Sequence, residues 1–153
     1  MSKNLSYRKA RKEELSHIIA LLIEDDLGKT REHLDAALDE AYLKAFALID
    51  KDPNQYLMVV ILDEEIVGTC HLTIMPSLTF KGALRMQIEA VRVSDKMRGQ
   101  NIGEHMIKHA IEYGKSCGAT LIQLMTNKER MRAKKFYEKV GFVATHEGMK
   151  LFL

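Results

Sequence analysis

Residues 84–125 constrain the fold of this chain more than any other stretch. Leu84 to Val93 alternates Met86, Ile88, Ala90 and Arg92 against Gln87, Glu89, Val91 and Val93, which predicts a strand. The alternation puts Glu89 with Val91 and Val93, opposite Ile88 and Ala90. A polar turn follows, Ser94-Asp95-Lys96-Met97. Arg98-Gly99-Gln100-Asn101-Ile102-Gly103 then leads directly into a helix. Ile102, Met106, Ile107, Ala110, Ile111 and Gly114 share one face of that helix, which ends near Cys117-Gly118. Ala119 to Met125 is a short apolar strand. Strand, helix and strand in this order make a right-handed crossover, so the two strands run parallel.

Hairpins surround this unit. Leu5 to Ala10 reads as a first strand. Leu15, Ile18, Ile19, Leu22 and Ile23 give a helix near 12–24, ended by Asp25-Asp26-Leu27-Gly28. A second helix is predicted from Thr30 to Ile49, with Leu34, Ala37, Leu38, Ala41, Tyr42 and Ala45 on one face. Thr30 is its expected N-cap, with Glu32 and Asp35 near the first turn. Asp52-Pro53-Asn54 closes it. Tyr56–Leu62 and Ile66–Met75 form a hairpin around Asp63-Glu64-Glu65, and Pro76 stops the second strand. Glu129 to Lys139 is a basic amphipathic helix with Gly141 as its C′ residue. Phe142–Thr145 and Met149–Leu153 read as a final pair of strands. The expected class is α/β: a mixed, mostly antiparallel sheet of about six to seven strands with helices on both faces. The whole chain, 1–153, is expected to be one domain.

Composition narrows the function classes. A net charge of +2 is too small to make nucleic acid or an anionic membrane the main partner. No apolar run approaches the ~20 residues of a membrane helix. The first eight residues, Met1 to Arg8, lack the apolar core of a secretory signal. Cys70 and Cys117 form no CxxC pair and read as buried thiols in a reducing compartment. A cytoplasmic location is expected by elimination.

The chemistry concentrates at 98–103. A tight turn opening a helix aims free backbone N–H groups and the positive helix end at one point, which suits an anion such as phosphate. Gly99 lets the turn tighten, and Gly103 lets a ligand or a neighbouring strand approach. No Gly-Lys-Ser/Thr follows, so this is not a Walker loop, and it is not the dinucleotide GxGxxG pattern. A glycine-containing turn with no ligand satisfies these six residues equally well.

The wider order of motifs settles on a family. Ile88-Glu89-Ala90-Val91-Arg92-Val93, the turn, Arg98 to Gly103, and then Lys135-Phe136-Tyr137-Glu138-Lys139-Val140-Gly141-Phe142 resemble the GNAT superfamily of N-acetyltransferases. The family's coenzyme motif is Gln/Arg-x-x-Gly-x-Gly/Ala. Arg98 and Gly103 match its ends, while Asn101 stands where the middle glycine is usual. Asn tolerates left-handed backbone better than most residues.

The resemblance implies a parallel pair splayed at the coenzyme site, acetyl-CoA as cosubstrate without a metal, and a primary amine as acceptor. It implies that the amides of Arg98, Gly99, Gln100, Asn101, Ile102 and Gly103 hold the coenzyme pyrophosphate. Val91, Arg92 and Val93 would pair with the pantetheine arm like an added strand, and Ala133 and Phe136 would flank the coenzyme. Tyr137 matches the tyrosine that protonates the departing thiolate, and Glu89 matches a carboxylate that deprotonates the amine. A core aromatic and a solvent-facing carboxylate, or one paired with Arg92 or Arg130, are the plainer readings of these two. Arg130 replaces an Asn the family often carries, and that role is not transferred.

Other residues carry weaker signals. His105 and His109 have metal-ligand spacing but no third ligand, so a solvated helix face is expected and no metal site. Lys134 and Lys135 read as a charged outer face. His71 and His146 are alternative bases or acceptor contacts. Glu24, Asp25 and Asp26 form an acidic cluster that would suit a cationic amine, or a solvated helix end. No cysteine nucleophile is expected near the coenzyme motif, since Cys117 lies about 22 Å past Ile102 by helical rise. This agrees with direct attack of the amine without a covalent enzyme intermediate, which is the expected mechanism. Two rivals stand beside this reading: an acetyl-CoA-binding regulator with little turnover, and a dimeric scaffold without ligand. A homodimer is compatible with each.

Overall fold

The computed structural model describes residues 4–32 and 39–153. Its centre is one sheet of five strands in chain order. These are β1 (Leu5–Lys9), β2 (Gln55–Leu62), β3 (Glu65–Pro76), β4 (Leu84–Val93) and β5 (Ala119–Leu124). The first four pair antiparallel, and β4 pairs parallel with β5. The β2–β3 hairpin turns on Asp63 and Glu64, both at positive φ, as a tight two-residue turn requires.

The described residues form six helices: α1 (Leu15–Ile23), α2 (Asp26–Arg31), α3 (Glu40–Lys51), the exposed single turn α4 (Thr79–Gly82), α5 (Ile102–Ser116) and α6 (Met131–Val140). Short 3-10 turns precede α1 and lie between β4 and α5. The main core sets α5, through Met106, Ile107 and Ala110, against Met58, Cys70, Leu72, Met86 and Ile88 of the central strands. A smaller core on the other face holds Leu15, Ile18, Phe46 and Val59. Among the described residues no helix is long and apolar enough to cross a membrane.

Two expected elements differ. The helix expected over Thr30–Ile49 is two helices: Thr30 lies inside α2, where its hydroxyl donates to Leu27 O, and Asp39 caps α3. Leu34, Ala37 and Leu38 fall outside the described residues. In α3 the inward residues are Phe46 with Leu43, and Ala41 is exposed. The sheet has five strands rather than six to seven, because 142–153 carries no strand.

Candidate active site

β4 is longer than its parallel partner. The β4–β5 pairing runs from Leu84↔Ala119 to Ile88↔Leu124 and stops, while β4 continues to Val93 beside β3 alone. The backbone of 89–93 therefore lacks a neighbour on the β5 side. A bulge distorts β4 here: Thr69 opposes Arg92 while His71 opposes Glu89, and Ala90 takes φ 51°. An L-residue in this conformation costs about 1–2 kcal/mol. The bulge also breaks the expected alternation, since Glu89 and Ala90 are consecutive exposed residues.

The turn after β4 is built from local contacts. Ser94 N–H donates to Val67 O, and the Asp95 N–H donates to Glu24 Oε2 at 2.8 Å. The Arg98 guanidinium holds Asp95 Oδ1 at 2.7 and 3.0 Å, and its amide donates to Asp95 O. The Gln100 amide reaches Met97 O at 3.4 Å. Neither the Arg98 nor the Gln100 amide is open in the way the sequence suggested. Gly99 (φ 75°) and Asn101 (φ 58°) adopt left-handed backbone, and Asn101 is the N-cap of α5. The amides of Gly99, Asn101, Ile102, Gly103 and Glu104 face no carbonyl among the described residues, as a helix start leaves them. Lys108 and Lys139 clasp the Glu104 carboxylate and hold it down at about 2, so its charge at this helix start is locally balanced.

α6 closes the other side. A Cβ built on Gly103 would meet Phe136 Cζ at 3.6 Å and Val93 Cγ2 at 3.8 Å. Phe136 and Val93 both lie beside the first turn of α5, and Ala133 is half-buried on the same helix. The Tyr137 ring meets Phe136 and Phe142 edge-on. Burial pushes its phenol pKa up, with Arg92 and Arg130 opposing. The phenol therefore lies within electrostatic reach of β4. Gly141 (φ 118°) ends α6 as expected.

Two arginines near this phenol share one acid. Arg92 Nε and Arg130 Nη2 each lie 2.8 Å from Asp25 Oδ2. Asp25 Oδ1 accepts the Gly28 amide and caps α2. Burial pushes the Asp25 carboxyl up, but the Gly28 amide and the two guanidinium groups push it further down, so it sits below the usual carboxylate range. Asp25 and Glu24 are thus committed to structure rather than free to attract a cationic amine. Sequence reading missed this network because its partners are 105 residues apart. Arg92 Nη1 also donates to Val91 O at 2.7 Å, occupying one of the carbonyls expected to meet pantetheine.

Behind the bulge lies an open cavity of about 160 Å³ between α1, α3 and the sheet. Ile18, Ile19, Leu22, Phe46 and Ile49 line it, and Thr69, His71 and Ala90 reach its sheet side. Thr69 Oγ1 donates to Met58 O, and His71 Nε2 is 2.5 Å from Gln55 Oε1. Because Gln55 Oε1 also accepts from Thr73, it reads as an acceptor, which assigns the imidazole proton to Nε2 and leaves Nδ1 as the basic atom. Burial lowers the His71 pKa, with Glu89 opposing. His146 lies on the exposed C-terminal segment beside Thr145 and is not among the cavity residues. His109 stacks on Tyr7 at 3.9 Å instead of facing water, while His105 is exposed. Lys134 and Lys135 are exposed. Cys70 is buried and its thiol is pushed up to about 12, whereas Cys117 is only half-buried.

A family model, "Acetyltransferase (GNAT) family", matches residues 16–142. The chain belongs to the GNAT family of acetyltransferases. This GNAT chain is 31% identical over 107 residues to an aminoalkylphosphonate N-acetyltransferase of Salmonella typhimurium, covering 70% of this chain and 69% of that one. A crystal structure described as a transcriptional regulator from Bacillus halodurans superposes with TM-score 0.95 at 41% identity, over 98% of this chain and 100% of the other. A putative acetyltransferase from Agrobacterium tumefaciens superposes with TM-score 0.83 at 25% identity, over 97% and 99%. The GNAT assignment agrees with the mixed sheet and its parallel β4–β5 pair.

Proposed function

We propose that the chain is an acetyl-CoA-dependent N-acetyltransferase acting on a primary amine by direct attack. One observation carries the reading: the unpaired 89–93 edge of β4 runs straight into the open amides at the start of α5. That arrangement offers a strand-like edge for an amide-bearing arm and an anion seat for a pyrophosphate. Gly99 and Asn101–Gly103 hold the phosphates, Val91–Val93 align the arm, and Phe136 and Ala133 flank it. With Val91 O taken by Arg92, the arm is held through the remaining groups of this edge or displaces Arg92.

Glu89 accepts a proton from the ammonium, directly or through water. The amine nitrogen then bonds to the thioester carbonyl carbon, and the carbon–sulfur bond breaks. Tyr137 gives its proton to the departing thiolate and regains one as the nitrogen sheds its second proton, leaving an amide and the free thiol. With its thiol held near 12, Cys70 is a poor nucleophile. The cavity behind Ala90 receives the acceptor. Its lining is mostly apolar and includes no Lys or Arg among the described residues, so it favours an amine on an apolar body over one bearing phosphate or phosphonate.

A second reading has one specific support, the description of the Bacillus halodurans relative as a transcriptional regulator. In that reading the chain binds acetyl-CoA with little turnover. Thiol release from acetyl-CoA, screened over apolar, phosphorylated and peptide amines, separates the two. Release that is fastest with an apolar primary amine is the expected result. Thermal stabilisation by acetyl-CoA without release from any amine selects the regulator.

A further inference from the structure

The reaction proposed above gives no task to the guanidinium groups of Arg92 and Arg130, yet both are held beside it. The Arg92 side chain is only 15% exposed and that of Arg130 26%. Arg92 comes from the bulged end of β4 and Arg130 from the N-cap of α6, and they meet at Asp25. Asp25 does not satisfy them. Arg92 Nε is shut off from solvent and makes no hydrogen bond, although Asp25 Oδ2 lies 2.8 Å away. Arg92 Nη2, and Arg130 Nε and Nη1, meet no partner among the described residues. Two guanidinium groups against one carboxylate leave a surplus positive charge. Burial lowers the Arg92 pKa; Asp25 opposes, and the like charges of Arg130 and Arg31 lower it further. An added anion relieves both the repulsion and the idle donors.

The cluster stands at the rim of the apolar cavity. Thr69, Ala90 and Leu22 line that cavity. Arg92 is the register partner of Thr69 and follows Ala90 by two residues, about 7 Å of strand. Asp25 follows Leu22 by three residues, just past the end of α1.

We propose that Arg92 and Arg130 bind a carboxylate on the acceptor, which makes the substrate class an apolar α-amino acid. Its side chain enters the cavity, its carboxylate meets the two arginines, and its amine lies beside Glu89. The assignment rests on the acetyltransferase reading and deepens it. A planar carboxylate matches guanidinium edges, and its single charge offsets the surplus that Asp25 leaves. A doubly charged phosphate or phosphonate overshoots it. The transfer itself is unchanged: the N–C bond forms and the C–S bond breaks. The carboxylate keeps its charge throughout, and the product is an N-acetylamino acid.

Thiol release from acetyl-CoA tests this with leucine and phenylalanine. Each is compared with its amide, with the amine lacking the carboxyl group, and with the phosphonate analogue. The amide is less basic than the amino acid and the bare amine more basic, so basicity alone does not favour the acid over both. The amino acid should exceed both in kcat/KM by at least about tenfold. In Arg130→Gln that preference should fall at least about tenfold, chiefly through KM, and Arg130→Lys should restore part of it. An amine or amide used as well as the acid overturns the proposal and leaves acetyl transfer standing. So does a phosphonate used faster, or a variant that slows all acceptors equally. No release from any acceptor removes the acetyltransferase reading instead. Titration calorimetry on the CoA-bound protein then decides: tighter binding of the amino acid than of its amine keeps the site, and equal or absent binding overturns it. If Arg130→Gln does not fold, the matched acceptors on the unaltered chain still decide.

Discussion

Tyr137 keeps its proton because burial disfavours the phenolate more than Arg92 and Arg130 favour it. A phenol held neutral past its ordinary range suits a donor to a departing thiolate. Tyr137→Phe should lower kcat about 100-fold while acetyl-CoA still raises the melting temperature; unchanged kcat would remove the proton-donor role. Glu89 and His71 face each other across β3 and β4, and each has the chemistry of a base. Glu89→Gln should lower kcat/KM about 100-fold at neutral pH, while His71→Gln should change it only a few-fold. The reverse pattern would reassign the base to His71. His71 also predicts a stability change. Its folded pKa lies below the unfolded value of about 6.5, so the unfolded chain binds more protons between the two. Its contribution is complete above about pH 6.5 and is lost as pH falls through the folded value. Melting temperature should drop on mild acidification, less steeply in His71→Gln. At this scale the left-handed Asn101 was legible, because few other residues tolerate that backbone. Ala90 was not: an alternating strand gives no sign of an inserted residue, and alanine has no special freedom at positive φ.

Elements with a strong period and a local stop were legible. α5 follows from its apolar stripe, and β2–β3 from a polar turn between two apolar runs. The joint between α2 and α3 was not, since the apolar spacing runs on past Arg31 while Asp25 and Asp39 supply separate caps. Caps override periodicity because each satisfies backbone donors that a continuing stripe does not. Asp25 ties α2 to β4 and α6 through Arg92 and Arg130. Losing the cap costs about 1 kcal/mol, and losing two partly exposed ion pairs adds roughly 1 kcal/mol. Asp25→Ala should therefore lower the melting temperature by roughly 6 °C in a scan at neutral pH. The deficit should shrink in acid: the depressed Asp25 pKa means its contribution is present above the unfolded carboxylate pKa and is lost as pH falls through the folded one. A deficit that does not depend on pH would show that packing, not charge, is what Asp25 supplies.

The sheet divides the molecule into two faces. Open amides and Phe136 lie on the α5 and α6 side, the apolar cavity lies under α1 and α3, and the unpaired stretch of β4 joins them. Order along the chain made the first face legible, since its parts fall in one crossover and the helix after it. The cavity draws single residues from α1, α3, β2, β3 and β4, and no short window of sequence holds enough of them to mark it. If the two faces hold different substrates, hydrogen exchange will separate them. Acetyl-CoA should slow exchange at 91–93 and 98–104. An apolar amine should slow it in α1 and α3 and along the 69–71 stretch of β3. Gly103→Val crowds Phe136 and Val93, where even a Cβ sits 3.6 Å from the ring, so it should weaken the first pattern at least tenfold in coenzyme concentration, about 1.4 kcal/mol. The second pattern should survive, because Gly103 does not line the cavity. If the amine instead protects 98–104, or Gly103→Val erases both patterns in a folded protein, the two substrates share one face and the division of labour across the sheet is wrong.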